Sequence, residues 1–215
     1  MGLIRKVYGI LTTQLVITSL VTLVPFLNDG VRVAIVNSPG IVLLAVILGL
    51  ILSCGLACFQ SLARTVPMNY FLMFAFTACE AYTVAYICAV VNDSILVVQA
   101  AFMTASLVLG LTCYAWTTKT DFTVYGGFLS SIGAVFLIFA LFSVFFGPTL
   151  RLIYCVLGLA LFSVYLVYDT QLIIGGEDKY AEIENDDYIL AAMILYLDII
   201  NIFIYILQLL TSNKD

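Results

Sequence analysis

The chain has 215 residues, 64% of them hydrophobic and 10% charged, with a mean hydropathy of +1.16. A soluble domain is near a quarter charged, so this composition excludes one and predicts an all-α polytopic membrane protein, with residues 1–215 forming a single transmembrane domain. The net charge of −5 reflects one loop, since six of the 13 acids fall within Glu177–Asp187; no basic run suits nucleic acid, and the lack of histidine removes His-ligated metals and Ser–His or Cys–His nucleophiles.

A spanning helix needs about 20 apolar residues. Such stretches are predicted at 7–27, 40–59, 68–91, 95–116, 124–146, 150–174 and 188–210. The connections are short, which makes sequence neighbours antiparallel neighbours. Arg5 and Lys6 precede the first stretch, which is too long for a signal-peptide core and reads as a retained helix. Met1-Gly2 starts like a myristoylation signal, but Lys6 stands where Ser or Thr is required. With a cytosolic N-terminus, the cytosolic segments hold Arg5, Lys6, Arg64, Lys119 and Lys179, against Arg32, Arg151 and Lys214 on the far side. That excess agrees with the positive-inside rule. All six cysteines lie in apolar segments and read as small packing residues. Gly126, Ser130 and Ala134 recur at four-residue spacing and predict a close helix approach.

Two carboxylates interrupt stretches otherwise suited to lipid: Asp169 in the sixth and Asp198 in the seventh. A charge at bilayer depth costs roughly 2.5–3.5 kcal/mol on insertion scales, so such groups pair or line wet cavities. On the seventh helix Asp198, Asn201, Tyr205 and Gln208 form one stripe, which is expected to face the bundle. On the sixth, Gly158, Phe162, Tyr165 and Asp169 share a face, with the Tyr165 hydroxyl in reach of Asp169. The third carries Glu80 between Thr77 and Thr83, and the first adds Gln14 and Thr18. Asp169 and Asp198 are therefore expected to face each other. Two such carboxyls share one proton and titrate as a coupled pair. Fully ionised, they offer hard oxygens to a transient Ca²⁺, so proton and cation compete. The acidic loop before the last helix either is plainly solvated or gathers cations at a pore mouth. The alternative for the aspartates is neutral, hydrogen-bonded packing.

Several segments together resemble a known family. They are Ile4-Arg-Lys-Val-Tyr-Gly-Ile-Leu-Thr-Thr-Gln-Leu15, Pro67-Met-Asn69, Phe76-Thr-Ala-Cys-Glu-Ala81, Tyr168-Asp-Thr170 and Asp187-Tyr-Ile-Leu-Ala-Ala-Met-Ile-Leu-Tyr-Leu-Asp-Ile-Ile-Asn-Ile-Phe203. The chain is similar to the transmembrane Bax inhibitor motif family, in its Lifeguard and Golgi anti-apoptotic protein branch. The resemblance implies two three-helix layers around a central C-terminal helix. It implies a pH-sensitive Ca²⁺ leak of Golgi or endoplasmic reticulum membranes, which lowers the releasable store and suppresses cell death. The family's aspartate pair then falls on Asp169 and Asp198, its mid-membrane glutamate on Glu80, an acidic position of the last loop on Asp186, and a latch arginine on Arg64. The ion path is expected along Glu80, Asn201, Tyr205 and Asp186. Against that resemblance, the cytosolic extension common in Lifeguard proteins and the lysine-rich tail of the founding member are expected to be missing, with only Lys214 kept.

Three functions compete. A channel or leak fits the polar stripe. An intramembrane aspartyl protease also pairs aspartates, but Asp198 sits in Leu-Tyr-Leu-Asp rather than Gly-x-Gly-Asp and no Pro-Ala-Leu follows, so no enzyme is expected. A non-conducting regulator would bind membrane proteins of cell-death or Ca²⁺-release pathways. The expected partners are the bilayer and Ca²⁺ as the permeant ion, with no resident cofactor, and the chain is expected to be a monomer or weak oligomer.

Overall fold

The computed structural model describes residues 2–142, 147–175 and 186–212. Among them all regular structure is helical: α1 (Gly2–Leu27), α2 (Asp29–Val36), α3 (Pro39–Cys58), α4 (Gln60–Arg64), α5 (Met68–Val91), α6 (Ser94–Thr117), a 3₁₀ turn (Thr123–Tyr125), α7 (Gly126–Phe142), α8 (Pro148–Ile174) and α9 (Tyr188–Ser212). Seven stretches are long and apolar enough to cross a membrane: Gly2–Leu27, Pro39–Cys58, Met68–Val91, Ser94–Thr117, Thr123–Ala140, Thr149–Ile174 and Tyr188–Ser212. The chain is a multi-pass membrane protein. The last stretch is one unbroken helix of 25 residues. At about 1.5 Å per residue it exceeds a hydrocarbon core of about 30 Å.

Two short helices occupy segments that read as loops. The Asn28 side chain accepts the N–H groups of Gly30 at 2.9 Å and Val31 at 3.3 Å, and this cap starts α2. α4 follows α3 directly and stops before Pro67, where a helix cannot easily continue. α5 ends at Asn92, whose φ of 50° is left-handed and suits asparagine.

The chain divides into two compact units. The first comprises Met1–Ser94 and Ile183–Tyr196. Its centre is α5, which packs against α1 and α3. α1 buries Val7, Leu11, Gln14, Thr18, Thr22 and Pro25, which recur every three to four residues. The remaining faces of α1 carry exposed Val16, Leu20 and Leu23. That pattern suits lipid outside and mixed polar packing inside. Ala81, Ala85, Cys88 and Ala89 are buried on α5, and these small residues let neighbouring backbones come close.

The second unit comprises Ile95–Glu182 and Leu197–Asp215. Here α7 packs on α8 through glycines that leave room for aromatic rings. A Cβ on Gly126 would overlap the Tyr168 hydroxyl, and one on Gly133 would overlap that of Tyr165. The four-residue stripe expected on α7 is thereby corrected. Ser130 and Ala134 are exposed, and the close face runs through Gly126, buried Leu129 and Gly133.

Candidate functional site

Asp169, near the end of α8, is 7% exposed, and Asp198 on α9 is 4% exposed. Both belong to the second unit, where the two carboxyls are near neighbours. Two carboxylates only accept hydrogen bonds, so a bond between them requires that one carry a proton. Oδ2 of Asp198 is enclosed with no N–H or hydroxyl partner. No such donor therefore compensates a charge on that oxygen, and a second negative charge in the pair would be repelled across a low dielectric.

The neighbours of the pair come from the same helical stripes. Tyr165 lies one turn before Asp169, but its hydroxyl donates to the Leu129 carbonyl at 2.7 Å. The expected Tyr165 support of Asp169 is thus replaced by a tie between α8 and α7. Further along α9, Asn201 donates to the Leu197 carbonyl of its own helix at 2.8 Å. The Tyr205 ring covers Gly158 and its hydroxyl lies 3.4 Å from that of Tyr154. Phe136 stacks on Tyr154 with centroids 4.3 Å apart, and both rings meet Tyr205 edge-on. One turn on, Gln208 Oε1 accepts the Cys155 thiol at 2.9 Å. Contacts 169/198, 158/205 and 155/208 advance in opposite directions along the two helices, as antiparallel packing requires.

Glu80 lies in the first unit, half-buried on α5. Its Oε1 would sit 3.0 Å from a Cβ on Gly49 of α3, so the missing side chain is what admits the carboxyl there. Nearby helices supply a polar chain. Gln14 Nε2 donates to Thr77 Oγ1 at 2.9 Å, and Thr18 Oγ1 donates to the Gln14 carbonyl at 2.9 Å. Thr18 Oγ1 also lies 2.8 Å from the Tyr196 hydroxyl. With its own proton committed, Thr18 accepts and Tyr196 donates.

Arg64, expected as a latch, directs Nε to Asp187 Oδ1 and its terminal nitrogen Nη2 to Asp187 Oδ2, each at 2.8 Å. This is a two-pronged, charge-assisted contact. Asp187 is 4% exposed and immediately precedes α9, and its carbonyl accepts the Ala191 N–H at 3.0 Å. A carboxylate there also faces the positive end of the helix dipole. The next residue, Tyr188, lies under Lys6 Nζ at 4.8 Å and beside Tyr70 at 6.3 Å between centroids. Asp186, placed on the ion path by resemblance, is exposed. The other acids of the loop, from Glu177 to Glu184, lie outside the described residues. Asp187 and Cys155 are contacts that periodicity did not single out. Among the described residues no three Cys, Asp or Glu side chains converge on one point.

Comparison with known proteins adds identity to this geometry. A family model described as "Inhibitor of apoptosis-promoting Bax1" matches residues 1–215. The chain is 37% identical to a BI1-like protein of Arabidopsis thaliana over 219 residues, covering 100% of this chain and 82% of that protein. It is 34% identical to Protein lifeguard 4 of Mus musculus, covering 100% of this chain and 87% of the relative. It is 35% identical to the Golgi anti-apoptotic protein of Vaccinia virus (strain Lister), with coverage of 100% and 87%.

Proposed function

Because the chain belongs to the inhibitor of apoptosis-promoting Bax1 family, we propose that it is a Ca²⁺-permeable leak of intracellular membranes. Proton binding to Asp169 and Asp198 gates it, and its activity lowers stored Ca²⁺ and opposes apoptosis. The observation that supports this reading is the proximity of two buried carboxyls on two membrane-spanning helices. The family description and the viral relative's name support the anti-apoptotic part of it, and the viral name the Golgi part. No enzymatic step is assigned.

The proposed cycle is short. With one proton shared, the pair ties α8 to α9 and the path is closed. Loss of that proton leaves two carboxylates that repel, and the helices part at this level. The freed oxygens are hard ligands for a passing Ca²⁺, and Asn201 and Tyr205 carry polar groups onward along α9. Conductance requires that such binding be weak enough for release. Flux therefore rises as pH rises through the titration of the pair.

The test is Ca²⁺ entry into liposomes holding purified protein, across a pH series, with the parent, Asp169→Asn and Asp198→Asn side by side. A pH-dependent flux in the parent that becomes pH-independent in both variants is expected. Variants that titrate like the parent would sink the gating role of the pair. Flux no greater than in empty liposomes at every pH would favour a non-conducting regulator that binds other membrane proteins.

A further inference from the structure

A groove of about 400 Å³ runs along the second unit between α7 and α8. One wall carries Ile132, Phe136 and Phe139, and the other Leu150, Leu157 and Leu161, so each wall is one stripe of its helix. Most of these side chains are exposed, and both helices are membrane spans, so the groove opens to lipid. From Leu150 to Leu161 it covers about 16 Å at about 1.5 Å per residue, close to half of a hydrocarbon core of about 30 Å. It therefore begins where α8 enters the membrane and ends near the midplane. Its floor is rigid. Phe136 stacks on Tyr154 with their planes 6° apart, and Tyr205 props both rings from behind. Gly158 makes room for this block, since a Cβ there would come within 2.8 Å of the Phe136 ring.

We infer that this groove is a binding site for a membrane sterol. Polarity, length and rigidity select that occupant. The walls are aliphatic and aromatic, and the exposed Arg151 beside Leu150 marks the headgroup end, where a basic side chain reaches the interface. A sterol has the same pattern, one hydroxyl at one end of an apolar body. Its hydroxyl oxygen accepts from the Arg151 guanidinium, and its hydrocarbon tail lies against Leu161. A groove one leaflet deep suits a molecule that itself spans one leaflet. Rigidity decides against an acyl chain. A fused-ring body has few rotors to freeze in a preformed groove, whereas an acyl chain loses many. Read backward, Val156, Tyr154 and Arg151 also stand at the spacing proposed for sterol contact, a pattern too common to carry the assignment alone.

The experiment places the full chain in phosphatidylcholine nanodiscs that contain a photoreactive cholesterol analogue bearing a diazirine. After irradiation, mass spectrometry maps the labelled peptides. Label is expected to concentrate in 132–139 and 150–161 and to be lost when unlabelled cholesterol is added in excess. Leu157→Trp fills the groove from α8 and should lose the label. Ile132→Trp fills it from α7 and serves if the first variant does not fold, which its melting temperature reports. Phe102→Trp, at a lipid-facing position of α6 that is 74% exposed, should label like the parent. Label spread evenly over the lipid-facing residues of α3 and α6, or label that excess cholesterol does not displace, overturns the site. So does unchanged labelling in a folded groove-filling variant. A groove left unlabelled overturns the sterol assignment, and native mass spectrometry then separates a retained phospholipid from a second copy of the chain as the occupant.

Discussion

Asp186 and Asp187 are adjacent and chemically alike, yet one is exposed and the other is 4% exposed against Arg64. The backbone turn into α9 decides which carboxylate points inward, and no periodicity in the preceding loop announces it. The membrane aspartates were legible for the opposite reason. A carboxylate among aliphatic residues is costly enough to require burial beside other polar groups, and the two that met this condition on the last two helices are buried near each other. The pairing of Arg64 with Asp187 yields a prediction at this scale. Breaking a buried ion pair leaves an uncompensated charge, at a cost of about 3–5 kcal/mol, and the Arg64 side chain is 30% exposed, so the low end applies. Arg64→Ala should therefore lower stability by about 3 kcal/mol. Adding Asp187→Leu should recover part of that loss, because the stranded carboxylate is gone. Thermal unfolding in detergent measures both. Strictly additive losses would show that the two residues do not act together.

The long helices were legible because each needed only an apolar run of spanning length. The short ones, α2 and α4, depend on a single cap and on a proline that bars continuation, signals too local for hydropathy to carry. Packing within the second unit was only partly legible. Gly126 was named as a close-approach residue, but its partner at the interface is Gly133, seven residues on, beneath the Tyr165 ring. Spacing alone could not choose between four-residue and seven-residue registers, since both keep to one side of a helix. Gly133→Ala should displace the Tyr165 hydroxyl from Leu129 and destabilise the fold by about 1–3 kcal/mol, the usual cost of overpacking. Adding Tyr165→Phe should restore part of the loss, because the overlapping atom is the hydroxyl. Melting temperatures of the single and double variants decide it. An unchanged melting temperature in Gly133→Ala would refute this packing.

At the scale of the molecule, seven spans require that the connection 28–38 and the connection 118–122 lie on opposite membrane faces, since three spans separate them. In a cysteine-free background, Asp29→Cys and Thr120→Cys should react with an impermeant thiol reagent from opposite sides. Thr120→Cys should be the one reached from the cytosol, because Lys119 lies on the face expected to be cytosolic. Labelling of both from one side would refute the topology. That the chain divides into two compact units was not legible. Short connections predict only that consecutive helices are antiparallel, and say nothing of where contacts thin out.

The last helix also sets a timetable for biogenesis. Of its membrane window, 67% is buried, against 6–39% for the other six spans, and it emerges from the ribosome after all of them. Until it does, Thr18 lacks Tyr196, Arg64 lacks Asp187 and Asp169 lacks Asp198. A growing chain thus holds three polar groups whose partners here arrive with the same late segment. Tertiary assembly must follow synthesis rather than accompany it, and a chain stopped before Asp187 would present those groups, without these partners, to the quality-control machinery of the membrane that receives it.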